Sequence, residues 1–302
     1  MSTIDLHMHS NVSIDGEFPP AEVVRLSHAK GIKTMALTDH NSVRGNQDAA
    51  KEAQRLGITF IPGIEMDCTI QDTGLHLLGL GIDPTDAAFE TIEQSVLHEE
   101  QQASAKQMAL ISDLGIHFDE SKVLAMAIKG IVSPEMIAEI ALQDDRNKNN
   151  SFMKPYFPGE SRSENPYVNF YWDLCAPGKP AAIKYNHISL AEAIGIIHAA
   201  GGIAVLAHPG NNIGLNEHKL KQIVSLGIEG IEVFSSYHDP ATTEFYQQKA
   251  PQYHLLSTVG SDFHGKTKPA IYPGCVPYSG DENQLLEMLL VNIKTAAKKS
   301  NQ

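Results

Sequence analysis

The chain has 302 residues, 42% of them hydrophobic and 20% charged, with a formal net charge of −13; that length supports one large domain, or one domain plus a lobe. No apolar run approaches the roughly 20 residues of a membrane helix, and the basic footprint of a nucleic-acid binder is missing, so neither a membrane span nor a stable nucleic-acid complex is expected. Three scattered cysteines, Cys68, Cys175 and Cys275, exclude a disulfide framework, and Met1 to Asp5 lacks the basic and apolar regions of a secretory signal, so a cytoplasmic location is expected.

In chain order, the sequence predicts a strand at Ile4–His7, then a helix at Pro20–Lys30 stopped by Gly31. A second strand follows at Thr34–Thr38, and a helix at Val43–Leu56 stopped by Gly57. Thr59–Ile64 and Leu75–Ile82 supply further strands, and the alternation indicates parallel β/α units. The rhythm changes between about residues 85 and 185. There Glu93–Leu114 and Ser133–Leu142 read as helices, followed by a polar turn-rich stretch and the aromatic run Tyr167–Trp172, read as insertion core. The β/α pattern resumes with Ser189–Ala200 (helix), Ala204–Ala207 (strand), Glu217–Leu226 (helix), Gly230–Phe234 (strand), Leu256–Gly260 (strand) and Asn283–Lys298 (helix). The expected architecture is an α/β barrel of about seven strands, interrupted by a mostly helical insertion.

Six of these segments place metal-binding residue types at, or just past, the end of an apolar strand: Asp5-Leu6-His7-Met8-His9, Leu37-Thr38-Asp39-His40-Asn41, Pro62-Gly63-Ile64-Glu65, Leu75-His76-Leu77, Ala207-His208-Pro209 and Gly260-Ser261-Asp262-Phe263-His264. Strand ends of one sense converge on one mouth of an αβ barrel. Residues i and i+2 of an extended chain face the same side, so His7 with His9, and Asp262 with His264, form chelating pairs. Imidazole with carboxylate suits zinc, manganese or iron. A single such pair is as readily a hydrogen-bonded histidine; six in one kind of position point to a metal site.

In this order the segments DLHMHS, LTDHN, PGIE, GLHLLGLG, LAHPG and GSDFHG resemble the polymerase and histidinol phosphatase (PHP) family of metal-dependent phosphoesterases. The resemblance covers Ile4–Ile82 and Ser189–His264. It implies a distorted seven-stranded (β/α)7 barrel from residues 1–84 and 186–302, capped by an insertion, residues 85–185. It also implies three divalent cations (manganese, iron or zinc). His7, His9, Glu65 and Asp262 would hold one cation. Glu65, His76 and His208 would hold a second, and Asp15, His40 and His264 the third. Three divalent cations against three carboxylates leave the pocket about +3, attractive to a phosphate dianion. A metal-bridging hydroxide is then the expected nucleophile.

The expected substrate is a small anionic phosphorylated metabolite: a ribose phosphate, a cyclic ribose phosphate or a nucleotide. Arg162 and Lys179 in the insertion are candidates to grip its remote groups, and His238 to bind phosphate or protonate the leaving oxygen. For Arg162 and His238 a plain surface or loop role stays open, as does a turn role for Asp39 against one of orienting ligands. The remaining histidines are read as structural. Nucleotide-type members of the family carry an Arg-containing segment where this chain has Val132-Ser133-Pro134-Glu135, and an Arg where it has Asn211. These departures weaken the nucleotide assignment, and the segment Asn165–Trp172, NPYVNFYW, resembles the cyclic ribose-phosphate type, with a nucleoside 3′,5′-bisphosphate phosphatase or 5′–3′ exoribonuclease as the alternative. A non-catalytic metal-binding module and a metal-dependent amidohydrolase are the readings of another class; the full ligand set argues against the first and its order against the second.

Overall fold

The computed structural model describes residues 2–184 and 186–300. Among them the strands are β1 (Ile4–Asp5), β2 (Thr34–Leu37), β3 (Thr59–Ile70), β4 (Thr73–Leu80), β5 (Ile188–Ser189), β6 (Ile203–Leu206), β7 (Gly230–Ser235) and β8 (Leu256–Gly260). They lie in the order β1-β2-β3-β4-β6-β7-β8, with β5 against the far end of β3. The two ends of this path meet. The Leu6 amide donates to the Val259 carbonyl at 3.0 Å, and Met8 bridges Phe263. The result is a nearly closed, distorted seven-strand barrel, as expected.

One feature departs from parallel β/α units: β4 runs antiparallel to both β3 and β6. Only Gln71 and Asp72 separate Ile70 from Thr73, whereas a parallel return needs a dozen or more residues. Gln71 takes φ 55°, the left-handed backbone that tight hairpins demand. The reversal has a functional consequence. His76 lies near the start of its strand, yet it reaches the same mouth as residues beyond the C-terminal ends of the parallel strands.

Helix Leu190–Ala199 buries Ala193, Ile194 and Ile197 against the barrel, and its cap Ser189 accepts the Glu192 amide, a Ser-x-x-Glu start. Helices Pro20–Ala29 and Asn46–Leu56 bury Val23, Val24, Ala49 and Ala53 with Met35 and Leu37 of β2 in a second cluster. Helix Pro240–Gln252, not anticipated, begins where Asp239 accepts the Thr242 amide and Pro240 opens the first turn.

Helix Ala87–Asp113 joins barrel to insertion. It starts earlier than predicted because Asp86 caps it. Its 27 residues span roughly 40 Å. Phe89 and Ile92 belong to the barrel core, while Ile111 packs in a separate core with Ile137, Met153, Tyr156, Phe170 and Leu174. No helix among the described residues is long and apolar enough to cross a membrane.

Candidate metal centre

Alternation along the chain after β1 sends Leu6 and Met8 into the core, both at 0% exposure, and turns His7 and His9 together toward the barrel mouth. His40 follows β2 and bridges Glu65 of β3. His208 follows β6, and Asp262 and His264 follow β8. At three of these turns the backbone is left-handed without glycine: Asn41 (φ 51°), His208 (φ 23°) and Asp262 (φ 56°). Such conformations cost on the order of 1–3 kcal/mol each and collect at functional sites.

The nine residues expected from the sequence converge. His7 Nε2 lies 3.1 Å from Glu65 Oε2 and 3.3 Å from Asp262 Oδ1, and His9 Nε2 lies 3.0 Å and 3.1 Å from the same two oxygens. The two Nε2 atoms are 3.1 Å apart. The other Glu65 oxygen, Oε1, is 3.0 Å from His76 Nδ1 and 3.2 Å from His208 Nε2. Asp15 Oδ2 is 3.0 Å from His264 Nε2 and 3.9 Å from His40 Nε2. His9 also approaches this third group, with a ring nitrogen within 4.8 Å of those of His40 and His264.

These separations fit cations. With metal–ligand bonds of about 2.1 Å, neighbouring ligands around one ion stand about 3.0–3.4 Å apart. Hydrogen bonding does not account for the atoms as well. Asp15 Oδ1, His40 Nδ1, Glu65 Oε2, Asp262 Oδ1 and His264 Nε2 are all buried without a hydrogen-bond partner, which a folded protein rarely tolerates. Two of them, Glu65 Oε2 and Asp262 Oδ1, face the same two imidazole nitrogens, and a group bound between them would complete their coordination.

The imidazoles are also held from behind. His7 Nδ1 lies 3.0 Å from Glu232 Oε1, His9 Nδ1 3.2 Å from Ser13 Oγ, and His208 Nδ1 3.0 Å from Asn212 Oδ1. His264 Nδ1 lies 2.9 Å from the Asp262 carbonyl. His76, on the reversed strand, is turned round: Nδ1 faces Glu65, and Nε2 lies 3.3 Å from Asp67 Oδ1. A partner on the rear nitrogen fixes tautomer and aim, as metal-binding histidines require. Asp39 takes the orienting role. It accepts from the Ser10 amide and the Ser10 and Ser13 hydroxyls, and Ser13 in turn meets His9. Asn41 donates to Asp67 at 2.7 Å.

Charge in the cluster is balanced internally. Burial alone would lower the pKa of His7, but Glu65, Asp262 and Glu232 hold it well above the ordinary imidazole value. The same competition, won by Glu65 and Asp15, pushes His40 up to about 9. Burial would raise Glu65; His7, His40 and His76 hold it well below the carboxylate range instead. A divalent cation brought to these atoms would displace those protons.

A cavity of about 690 Å³ opens on the cluster, bordered by insertion residues that include Glu100, Glu135 and Trp172. Within the aromatic run, Phe170 is buried in the separate core with Ile111 and Ile137, but Trp172 faces this cavity, 6.4 Å from the His76 ring and 6.3 Å from that of His208. His187, read as structural, lines it too. A second cavity of about 670 Å³ abuts the first at Trp172, Tyr237 and Lys268.

Arg162 and Lys179 line this second cavity and not the one over the ligands. The Arg162 guanidinium grips Asp173, at 2.9 Å and 3.0 Å. His238 lines neither cavity. Its Nδ1 lies 2.9 Å from the Val233 carbonyl, its Nε2 accepts the Gly210 amide at 3.0 Å, and burial holds its pKa down. With both nitrogens engaged, the expected acid or phosphate binder is instead a brace under the His208-Pro209-Gly210 turn. Glu232, Asp67, Asn212 and Lys268 were not anticipated. Glu232 left a trace, a lone carboxylate inside the apolar strand Gly230–Ser235.

A family model described as PHP domain matches residues 5–150. The chain is 32% identical to a 3′,5′-nucleoside bisphosphate phosphatase of Chromobacterium violaceum, over 87% of this chain and 88% of that protein. It is 28% identical to a phosphoribosyl 1,2-cyclic phosphate 1,2-diphosphodiesterase of Eggerthella lenta, over 91% and 97% respectively. A solved structure from Chromobacterium violaceum, described as an amidohydrolase with bound sulfate and no metal, aligns with a TM-score of 0.76 at 27% identity, covering 96% of this chain and 97% of that one.

Proposed function

The chain belongs to the PHP domain family and is a metal-dependent phosphoester hydrolase, and from that premise we propose that it acts on a small phosphorylated metabolite: a ribose phosphate, a cyclic ribose phosphate or a nucleotide. One observation carries the reading: the five orphaned donor atoms of Asp15, His40, Glu65, Asp262 and His264, set at ligand-to-ligand spacing beneath a cavity. We assign three divalent cations to the nine converging residues, grouped as the sequence suggested.

The nine residues would hold divalent cations, which would supply positive charge to the phosphoryl oxygens and lower the pKa of water. The chain's own residues set the geometry. Glu65 turns its two oxygens to different groups of imidazoles, which ties two cation positions together. Glu232, Ser13, Asp67 and Asn212 hold the imidazoles in aim. Trp172 and Tyr237 wall the cavity beside His208. The sulfate in the Chromobacterium violaceum structure is a tetrahedral dianion like phosphate, which agrees with this reading.

A second reading is favoured by the second cavity. Lys179 and Lys219 border it, with Arg162 and Lys268, so a substrate with a further anionic group, such as a nucleoside 3′,5′-bisphosphate or a phosphorylated RNA end, has cations to meet. Phosphate release from ribose monophosphates, a cyclic ribose phosphate and a nucleoside bisphosphate tests both. Turnover is expected with manganese, iron or zinc and not after chelation. The ratio of kcat/KM values chooses between the readings, and no release from any ester with any metal would sink both.

A further inference from the structure

Lys268 is the cation buried within the ligand cluster, at 3% exposure. Its ammonium hydrogen-bonds Asp262 Oδ2 and stands 4.8 Å from the centroid of the Tyr237 ring. The opposite oxygen, Oδ1, is the one that faces His7, His9 and His264. The turn that carries Lys268 is tightly built. Thr267 Oγ1 donates to the Asp15 carbonyl at 2.5 Å and the Lys268 amide to the Gly265 carbonyl at 3.0 Å. A Cβ on Gly265 would meet Glu17 Oε2 at 2.4 Å.

Burying an ammonium is costly, and an apolar side chain of similar size usually packs there more cheaply. Lysine has three donors; Asp262 occupies one, and the side chain borders both cavities where they join. We propose that Lys268 is a substrate-contacting residue, whose ammonium takes a phosphoryl oxygen at the junction of the two cavities. This rests on the phosphoesterase reading and adds to it a fixed protein charge that stays whatever metal is loaded.

The test uses the full chain loaded with manganese, with inorganic phosphate as the probe. Binding is read by calorimetry and by fluorescence of Trp172, the single tryptophan, whose Nε1 lies 3.4 Å from the Tyr237 hydroxyl. Lys268→Met should keep its manganese and bind phosphate at least about tenfold more weakly, as expected for loss of a charged hydrogen bond. Lys268→Arg should recover most of the affinity. Phosphate affinity within about twofold of the parent would overturn the assignment. So would loss of manganese with unchanged phosphate affinity in the metal-loaded fraction, since Lys268 would then serve only to hold Asp262. Phosphate binding is read without turnover, so failure of the hydrolysis assay and failure of this assignment are separate results.

Discussion

Glu232 Oε1 lies 3.0 Å from His7 Nδ1, and both side chains are shut off from solvent. Its second oxygen accepts the His208 amide at 2.8 Å, so one carboxylate sets two histidines that the proposed assignment gives to different cation positions. Glu232→Gln keeps the shape and removes the charge that fixes the His7 tautomer. Metal affinity should fall about 10–100-fold with the circular dichroism spectrum unchanged. Titration against a metal chelator measures it; parent-like affinity would show that Glu232 has no part in aiming His7.

Gly260 backs directly onto that pair. A Cβ there would stand 2.1 Å from Glu232 Oε1 and 2.3 Å from His7 Cβ. Gly260→Ala should therefore cost about 1–3 kcal/mol of stability and displace His7. Thermal unfolding with and without manganese checks this: the parent should be stabilised by the metal, and the variant much less.

Metal binding should release protons. Carboxylates hold His7 well above its ordinary pKa and His40 at about 9 in the cation-free cluster. A raised pKa keeps a proton on the imidazole at neutral pH, and that proton must leave before the nitrogen can bind a cation. Apparent affinity should therefore rise with pH from neutrality through about 9, the range in which His40 gives up its proton. Calorimetry in buffers of different ionisation enthalpy reads the proton count, and a heat independent of buffer would contradict the scheme.

Much of the site was legible because its residues interrupt a pattern. Histidine and carboxylate directly after an apolar strand are visible in one dimension, and parallel strands bring such ends together. What supports them was less legible. Asn212 and Lys268 lie in ordinary loop surroundings in the sequence and Asp67 inside a strand, and only folding brings them to His208, Asp262 and His76. His238 shows the opposite case: a strand-end histidine whose ring is taken up by Val233 and Gly210. Strand direction was the main misreading. About ten residues separate the predicted strands Thr59–Ile64 and Leu75–Ile82, too few for a helical crossover, and that shortage already implied the hairpin that turns His76 round. Helix Pro240–Gln252 was overlooked because Pro251 and a weakly amphipathic sequence mask it, although Asp239-Pro240 is a helix start.

The most direct test of the central claim is anomalous scattering from crystals of the manganese-loaded chain. Three peaks should appear: one among His7, His9, Glu65 and Asp262, one among Glu65, His76 and His208, and one beside Asp15, His40 and His264. A map with no peak within bonding distance of Glu65, in crystals whose metal content is otherwise high, would contradict the account.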